Sequence, residues 1–345
     1  MNRKHLHLTV GLIIIVLSLF FAFRGVDMAA LAHALVSVRF AYLVPAVLMV
    51  IVSYLFRAMR WRYLVRSVKD VTTGALLSPL MVGFMANMLP ARAGEFIRAY
   101  LLSRKEKISF SASFATIFIE RLFDLLLVLL MLVAVLLFMP QAFVRGDAAE
   151  GGRMLEMVTA FGAVSLALCV FICLLAVLLQ FRHDWTMNTL GVLLRPLPGT
   201  WGRKLSGMVI SFSEGLSIIR DRRGFFAVVL LSVVIWATFV FTYYPLYFAF
   251  GIQASLPVPS SLVVLCLVVA IFITVAPTPG FLGSYHLGCV AALHGIFGIQ
   301  KATALSYGIV AWLVAMGTTV IIGALFAVKE NISFGEISSA TEKKG

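Results

Sequence analysis

The sequence predicts an all-α membrane protein: a polytopic helical bundle of two inverted repeats, each holding a broken or re-entrant helical hairpin. Three observations carry that prediction. The chain is 61% hydrophobic and only 12% charged over 345 residues, whereas a soluble domain carries roughly 25% charged residues. Six apolar stretches, at about 8–23, 41–56, 114–139, 157–181, 225–250 and 303–328, are long enough for about 30 Å of hydrocarbon. Two further apolar regions are interrupted by Pro and Gly, at Asn87–Glu95 and Ala276–Ser284. Backbone that leaves the helix inside a bilayer exposes N–H and C=O groups that lipid cannot satisfy, so such breaks persist only against protein or a water-filled cavity. Paired breaks in corresponding halves of a membrane chain point to a transport site.

The first stretch follows Arg3 and Lys4 and resembles a signal peptide. Arg24 and Asp27 come at once after it, ahead of any small-residue cleavage site, so it is expected to remain as the first span. Span 2 returns to a basic cluster, Arg57 to Lys69. The next apolar region, 74–97, also ends at a basic cluster, Arg98 to Lys107. Basic loops mark the cytoplasmic side, so 74–97 enters and leaves on one side, as a hairpin broken at Pro90 and Gly94. Span 3 goes out to a loop of mixed charge, and span 4 returns to the basic stretch 182–223. Within that stretch Trp201, Leu205, Met208, Phe212, Leu216 and Ile219 recur at one helical face, which reads as an interfacial helix over about 201–219 or as a lid packed on other helices. Span 5 leaves again, and span 6 comes back to Lys329. Residues 259–299 therefore form a second hairpin from the opposite side, with Pro277, Pro279, Gly280 and Gly283 near its tip.

This divides a single transmembrane domain, 1–330, into a first repeat of about 1–140 and a second of about 155–330, followed by a polar cytoplasmic tail, 331–345. The formal charge of +13 is placed as a topology signal and headgroup contact, not as a nucleic-acid surface. The expected location is a prokaryotic cytoplasmic (inner) membrane with both termini cytoplasmic. Cys169, Cys173, Cys266 and Cys289 lie in apolar segments without metal-ligand spacing.

Charged residues inside apolar segments are expensive and default to functional candidates. Arg92, Glu95 and Arg98 follow the first break at i,i+3 spacing and form one charged stripe if that arm is helical. Glu120 and Asp124 share a face at the start of span 3, where Arg121 can pair with Asp124. Arg57 and Arg60, with Arg62 and Trp61, end span 2, either as an interfacial anchor or as part of the site. Together with Asn87, these residues suit a phosphate-bearing headgroup, because a planar guanidinium binds phosphate bidentately and carboxylates hold the fork in place. The competing reading is structural: the acids neutralise the arginines and fix the hairpin. In the second half His286 is the candidate, with His294 behind it, as a proton relay, a headgroup contact or an ordinary hydrogen-bonding residue. Pro90, Gly94, Pro277, Pro279, Gly280 and Gly283 serve gating and backbone exposure.

Enzyme signatures are mostly missing from the sequence. It has no P-loop, no Gly-x-Ser-x-Gly elbow, no His followed by Asp five residues on, and six isolated aspartates. No cofactor or metal is expected, and no catalytic residue is assigned. The remaining alternatives are a membrane acyl- or glycosyl-transfer enzyme using a buried His with Asn87 or Glu95, and a non-catalytic scaffold for envelope synthesis.

The same residues resemble the membrane region of the lysylphosphatidylglycerol synthases, the flippase-like integral membrane proteins. Arg57-Ala58-Met59-Arg60-Trp61 is similar to that family's Arg-x-x-Arg-Trp element. Asn87 through Arg98 resembles its Asn-x-Leu-Pro-x-Arg-x-Gly-Glu-x-x-Arg element, and Glu120-Arg121-Leu122-Phe123-Asp124 its Glu-Arg-x-x-Asp element. Ala276-Pro277 to Gly283, with His286, resembles its second Pro/Gly element. The chain departs from the family pattern at Ala86, where a second Asn is common, and at Tyr285-His286, where many members carry Glu. After Phe326 about 19 residues remain, so the resemblance implies translocation without the aminoacyl-transferase domain. It further implies membrane lipids with anionic headgroups as partners, namely a phospholipid, a polyprenyl phosphate or a related amphipath. No nucleic acid is expected, and a homo-oligomer or an envelope-synthesis protein remains open as a further partner.

Overall fold

The computed structural model describes residues 3–88, 93–138 and 221–331, with isolated helical positions between 156 and 174, and side chains from Ile13 onward. Most of span 4, Cys169 and Cys173, the proposed interfacial helix 201–219, the tail from 332, and Pro90 and Arg92 lie outside the described residues. The fold is a polytopic helical membrane bundle. Among the described residues four helices are long and apolar enough to cross a bilayer: Phe40–Arg66, Phe110–Phe138, Arg222–Ala249 and Lys301–Lys329. They correspond to spans 2, 3, 5 and 6.

In chain order α1 is Arg3–Phe23, α2 Met28–Val36, α3 Leu43–Arg66, α4 Thr73–Ala86, α5 Gly94–Glu106 and α6 Phe110–Phe138. After the second half begins, α7 is Arg222–Ala249, α8 Ser260–Val275, α9 Ser284–Val290, α10 Lys301–Trp312 and α11 Thr318–Lys329. A π-turn over Ala291–Ile296 extends α9, and another over Leu313–Gly317 joins α10 to α11. Large apolar side chains such as Leu48 and Leu55 of α3, Leu130 and Leu137 of α6, Phe226 and Leu230 of α7, and Ile321 and Leu325 of α11 are exposed. Such a belt is what a lipid-facing surface requires.

Both interrupted regions are hairpins. At 1.5 Å per residue the 14 residues of α4 and the 16 of α8 extend only about 21 and 24 Å, short of a full crossing. Each arm is followed by one that folds back on it. A Cβ on Gly83 of α4 would stand 2.6 Å from Arg98 Cβ of α5, and one on Gly288 of α9 would stand 2.8 Å from Val269 Cα of α8. The sequence placed hairpins at 74–97 and 259–299; the first is longer than expected, because α5 continues to Glu106.

The packing partners of the two halves correspond. The central spans α3 and α7 pack on each other. The first arm of hairpin one, α4, packs on the last span, α11, and the first arm of hairpin two, α8, packs on α6. The second arms α5 and α9 pack on the spans that follow them, α6 and α10. Each hairpin sits in its own apolar core: Trp61, Leu76, Leu80, Leu102 and Ile117 around the first, and Val264, Leu265, Val268, Leu293 and Tyr307 around the second.

One element was not anticipated. The chain turns by 90° after α1 into the short helix α2, capped by Asp27 Oδ1, which accepts the N–H groups of Ala29 and Ala30 at 2.8 and 3.3 Å. Nine residues are too few for a hydropathy window to register. The first span itself packs into the bundle, where Ala22 is buried and Ser18 Cβ would lie 2.6 Å from a Cβ on Gly283.

Candidate functional site

The two breaks meet. The N–H of Gly280, at the tip of hairpin two, donates to the Asn87 carbonyl at the end of α4, at 2.9 Å. Met88 Sδ would lie 2.5 Å from a Cβ on Gly280, whose φ is +59°, so the left-handed backbone and the close approach both call for glycine. The Gly280 carbonyl accepts the Trp312 indole N–H at 2.8 Å. Trp312 immediately precedes the π-turn that breaks the last span, and π-turns of this kind gather at functional positions. Thr278 and Ser284 hydroxyls pair across the same loop at 2.9 Å.

Beside the first tip lies a charged cluster drawn from three helices, with a hydroxyl from a fourth. Its centre is Glu120 of α6, with no exposed surface. Arg98 of α5 grips it with two hydrogen bonds, Nη1 to Oε1 at 3.1 Å and Nη2 to Oε2 at 2.6 Å. Arg60 of α3 lies 3.2 Å from Glu120 Oε1 and donates to Asp124 Oδ1 at 2.7 Å and to the Ser232 hydroxyl of α7 at 2.9 Å. Arg121 bridges outward, 3.3 Å from Glu95, 3.4 Å from Glu120 and 3.3 Å from Asp124. Aromatic faces enclose the arginines: Arg98 stacks over Trp61 at 3.7 Å from the ring centroid, an arrangement worth about 2 kcal/mol when desolvated. Trp61 is itself fixed by donating to the Thr116 hydroxyl at 2.9 Å. The cluster is sealed at Arg60 and Glu120 and partly open at its rim, where the Arg121 and Glu95 side chains are about one-third exposed.

Four guanidinium groups (Arg57, Arg60, Arg98 and Arg121) therefore face three carboxylates (Glu95, Glu120 and Asp124) among the described residues. Buried ions in apolar surroundings are stable only when paired and hydrogen-bonded, and this network gives three of the arginines a hydrogen bond to a carboxylate. Arg57 is the exception: it is 7% exposed and its nearest carboxylate oxygen, Glu120 Oε1, is 3.8 Å away.

The sequence-derived candidates thus divide. Glu95 and Arg98 of one stripe meet Glu120, Arg121 and Asp124 of the other, with Arg121 paired to Asp124, and Arg57 and Arg60 join them. This corrects the anchoring reading for those two arginines. They are buried because α3 continues past residue 56 and the acids of α6 receive them, while Arg62 is half-exposed and faces Asp70 at 3.7 Å. Asn87 contributes its backbone to the tip contact. Gly94 is held where α5 meets α4, since a Cβ there would collide with the Gly83 carbonyl. His286 stands apart from the cluster: it is buried, and its Nδ1 accepts the Gly283 N–H at 3.3 Å, closing the start of α9. His294 Nδ1 faces the Ile299 carbonyl at 2.8 Å. Sequence reasoning missed Ser232, Trp236, whose indole donates to Asp124 at 3.4 Å, and Phe84 and Phe239, which flank Arg57. Nothing in the chemistry of a Ser or Phe within an apolar helix distinguishes it from ordinary packing.

A family model for the lysylphosphatidylglycerol synthase transmembrane region matches residues 8–323. The chain belongs to that family. Among curated relatives it is 23% identical over 347 residues to "Glycosyltransferase AglD" of Haloferax volcanii, an alignment covering 96% of this chain and 55% of that protein. It is also 22% identical over 344 residues to the UPF0104 membrane protein PH1989 of Pyrococcus horikoshii, covering 95% of this chain and 97% of that one. The chain thus spans about half the length of the first relative and nearly all of the second. No solved structure matches it.

Proposed function

We propose that this protein moves a phosphate-bearing amphipathic lipid between the leaflets of a prokaryotic cytoplasmic membrane, without an ATPase of its own. The observation that carries the reading is the contact of two broken hairpin tips, Gly280 on Asn87, one helical turn from an arginine-rich buried cluster. Broken helices at the junction of two repeats are where transporters bind their cargo, and a cluster with more guanidinium than carboxylate suits an anion. The correspondence of packing partners between the halves supports a repeat relation. The charge pattern of the loops supports opposite orientations for the repeats, with both termini cytoplasmic.

In this mechanism Glu95, Glu120 and Asp124 hold the arginines in place. The lipid phosphate enters at the partly open Arg121–Glu95 rim, and separation of the hairpin tips alternates access. The name of the Haloferax relative favours a second reading, glycosyl transfer to a lipid carrier, for which the membrane region would present the lipid. One experiment separates the two. The protein is reconstituted in liposomes with headgroup-labelled phospholipids and a polyprenyl phosphate, and exchange between leaflets is followed. Protein-dependent exchange of intact lipid supports transport. A glycosylated product supports the second reading, and absence of exchange for every lipid refutes the first.

A further inference from the structure

We infer that Arg57 is the residue that takes the phosphate of the cargo, while Arg60, Arg98 and Arg121 are committed to shaping its site. The inference rests on the transport reading and deepens it. The other three guanidinium groups are held by carboxylates at 2.6 to 3.4 Å. Buried nitrogens without a hydrogen-bond partner occur on all four, namely Nε and Nη1 of Arg57, Nε and Nη2 of Arg60, and Nε of Arg98 and Arg121. Arg57 differs because it makes no hydrogen bond to a carboxylate, its ion pair with Glu120 at 3.8 Å lying beyond hydrogen-bond range.

Arg57 lies over two aromatic rings, Phe84 of α4 at 5.0 Å and Phe239 of α7 at 4.7 Å from the ring centroids. Its N–H groups, which make no hydrogen bond to a carboxylate, form the planar fork that fits two phosphate oxygens. A buried cation with no hydrogen-bond acceptor of its own is a costly ground state, and an incoming phosphate supplies the missing acceptors. The position also suits a coupling role. Arg57 lies at the seam of α3, α4 and α7, between the halves, and Phe84 precedes by three residues the Asn87 carbonyl that receives Gly280. A ligand that draws Arg57 along its plane therefore bears on the arm that ends at the tip contact.

The test uses the full chain in detergent and in vesicles, with Arg57→Gln, Arg57→Lys and, as a control, the half-exposed Arg62→Gln. Thermal unfolding is recorded without lipid, with phosphatidylglycerol and with inorganic phosphate, and lipid affinity is read from tryptophan quenching by brominated lipid. Arg57→Gln is expected to melt close to or above the wild-type midpoint without lipid, since it removes a buried charge that makes no hydrogen bond, against the loss of a 3.8 Å ion pair and two aromatic contacts. Its affinity for phosphatidylglycerol is expected to fall about tenfold or more, as loss of a charge-assisted hydrogen bond implies. Arg57→Lys is expected to fall similarly, because a point charge lacks the fork, and Arg62→Gln to bind as wild type. Stabilisation of wild type by inorganic phosphate alone would assign the site to the free anion, and stabilisation by lipid alone to the headgroup; either must vanish in both Arg57 variants. Wild-type affinity in Arg57→Gln or Arg57→Lys would overturn the inference. Failure of the transport reading is distinguishable: wild type would then bind lipid through Arg57 yet exchange none.

Discussion

Replacing Arg98 by Met removes the partner that closes the centre of the cluster. Arg98 is 2% exposed and supplies both hydrogen bonds of its bidentate grip on Glu120, one to each oxygen. Met fills similar space without charge, so Glu120 stays buried with Oε2 stripped, while Oε1 keeps Arg60 at 3.2 Å and Arg121 at 3.4 Å. Breaking a buried pair from one side costs about 3–5 kcal/mol. The remaining arginines hold the loss toward about 3 kcal/mol, and the lost stacking on Trp61, about half of it recovered by the Met thioether against the ring, adds about 1 kcal/mol. The expected destabilisation is therefore about 4 kcal/mol, roughly a thousandfold in the folding equilibrium. Equilibrium unfolding in mixed micelles with rising SDS measures it directly. A second variant sharpens the reading: Glu120→Gln in the Arg98→Met background removes the stranded charge, so the double-mutant cycle should return a coupling of about 2 kcal/mol or more. Stability within about 1 kcal/mol of wild type for Arg98→Met, or an additive cycle, would refute the claim that this pair anchors the hairpin.

Other expectations follow from particular contacts. Gly94→Ala places a methyl against the Gly83 carbonyl and Asn87, and backbone cannot retreat cheaply, so unfolding measurements should show a loss of about 2 kcal/mol or more. Trp312→Phe removes the donor to the Gly280 carbonyl and should cost about 1 kcal/mol, with faster hydrogen exchange confined to the second tip. Lys105 and Glu330 form a partly exposed pair at 2.5 Å; Glu330→Gln should change stability by less than about 1 kcal/mol, an effect that salt diminishes. Cys266 and Cys289 are free and buried, so maleimide labelling read peptide by peptide should leave both unmodified until the protein unfolds.

The hairpins were legible because Pro and Gly inside an apolar run have few other uses in a membrane. Glu120 and Asp124 were legible as a pair because their spacing is helical and their charge is conspicuous. Their partners were harder to see. Arg57 and Arg60 follow an apolar run directly, and local sequence describes an interfacial anchor and a buried ion equally well; what decides is an acid some 60 residues away on another helix. The tip contact joins Asn87 to Gly280 through backbone atoms, which leave no trace in residue type beyond the glycine itself. Ser232, Trp236 and Phe239, one turn apart on α7, complete the site from the second half, yet within a continuous apolar helix they read as packing. Helix α2 was missed for a simpler reason: Asp27 was legible as a charge after the first span, but its capping role needs the 90° turn that only tertiary packing sets.

The central claim is that lipid crosses by separation of the two hairpin tips. Cysteines at Met88 and Gly280, in a background without native cysteine, face each other across the contact, where a Cβ on Gly280 would lie 3.9 Å from Met88 Cα. Replacing Met88 removes the Sδ that this Cβ would meet, and the reduced protein controls for the strain of a side chain at φ +59°. The measurement is exchange of headgroup-labelled lipid in liposomes with this variant, oxidised and then reduced. The account predicts that oxidation abolishes exchange and that reduction restores it. Equal exchange in the two states would contradict it.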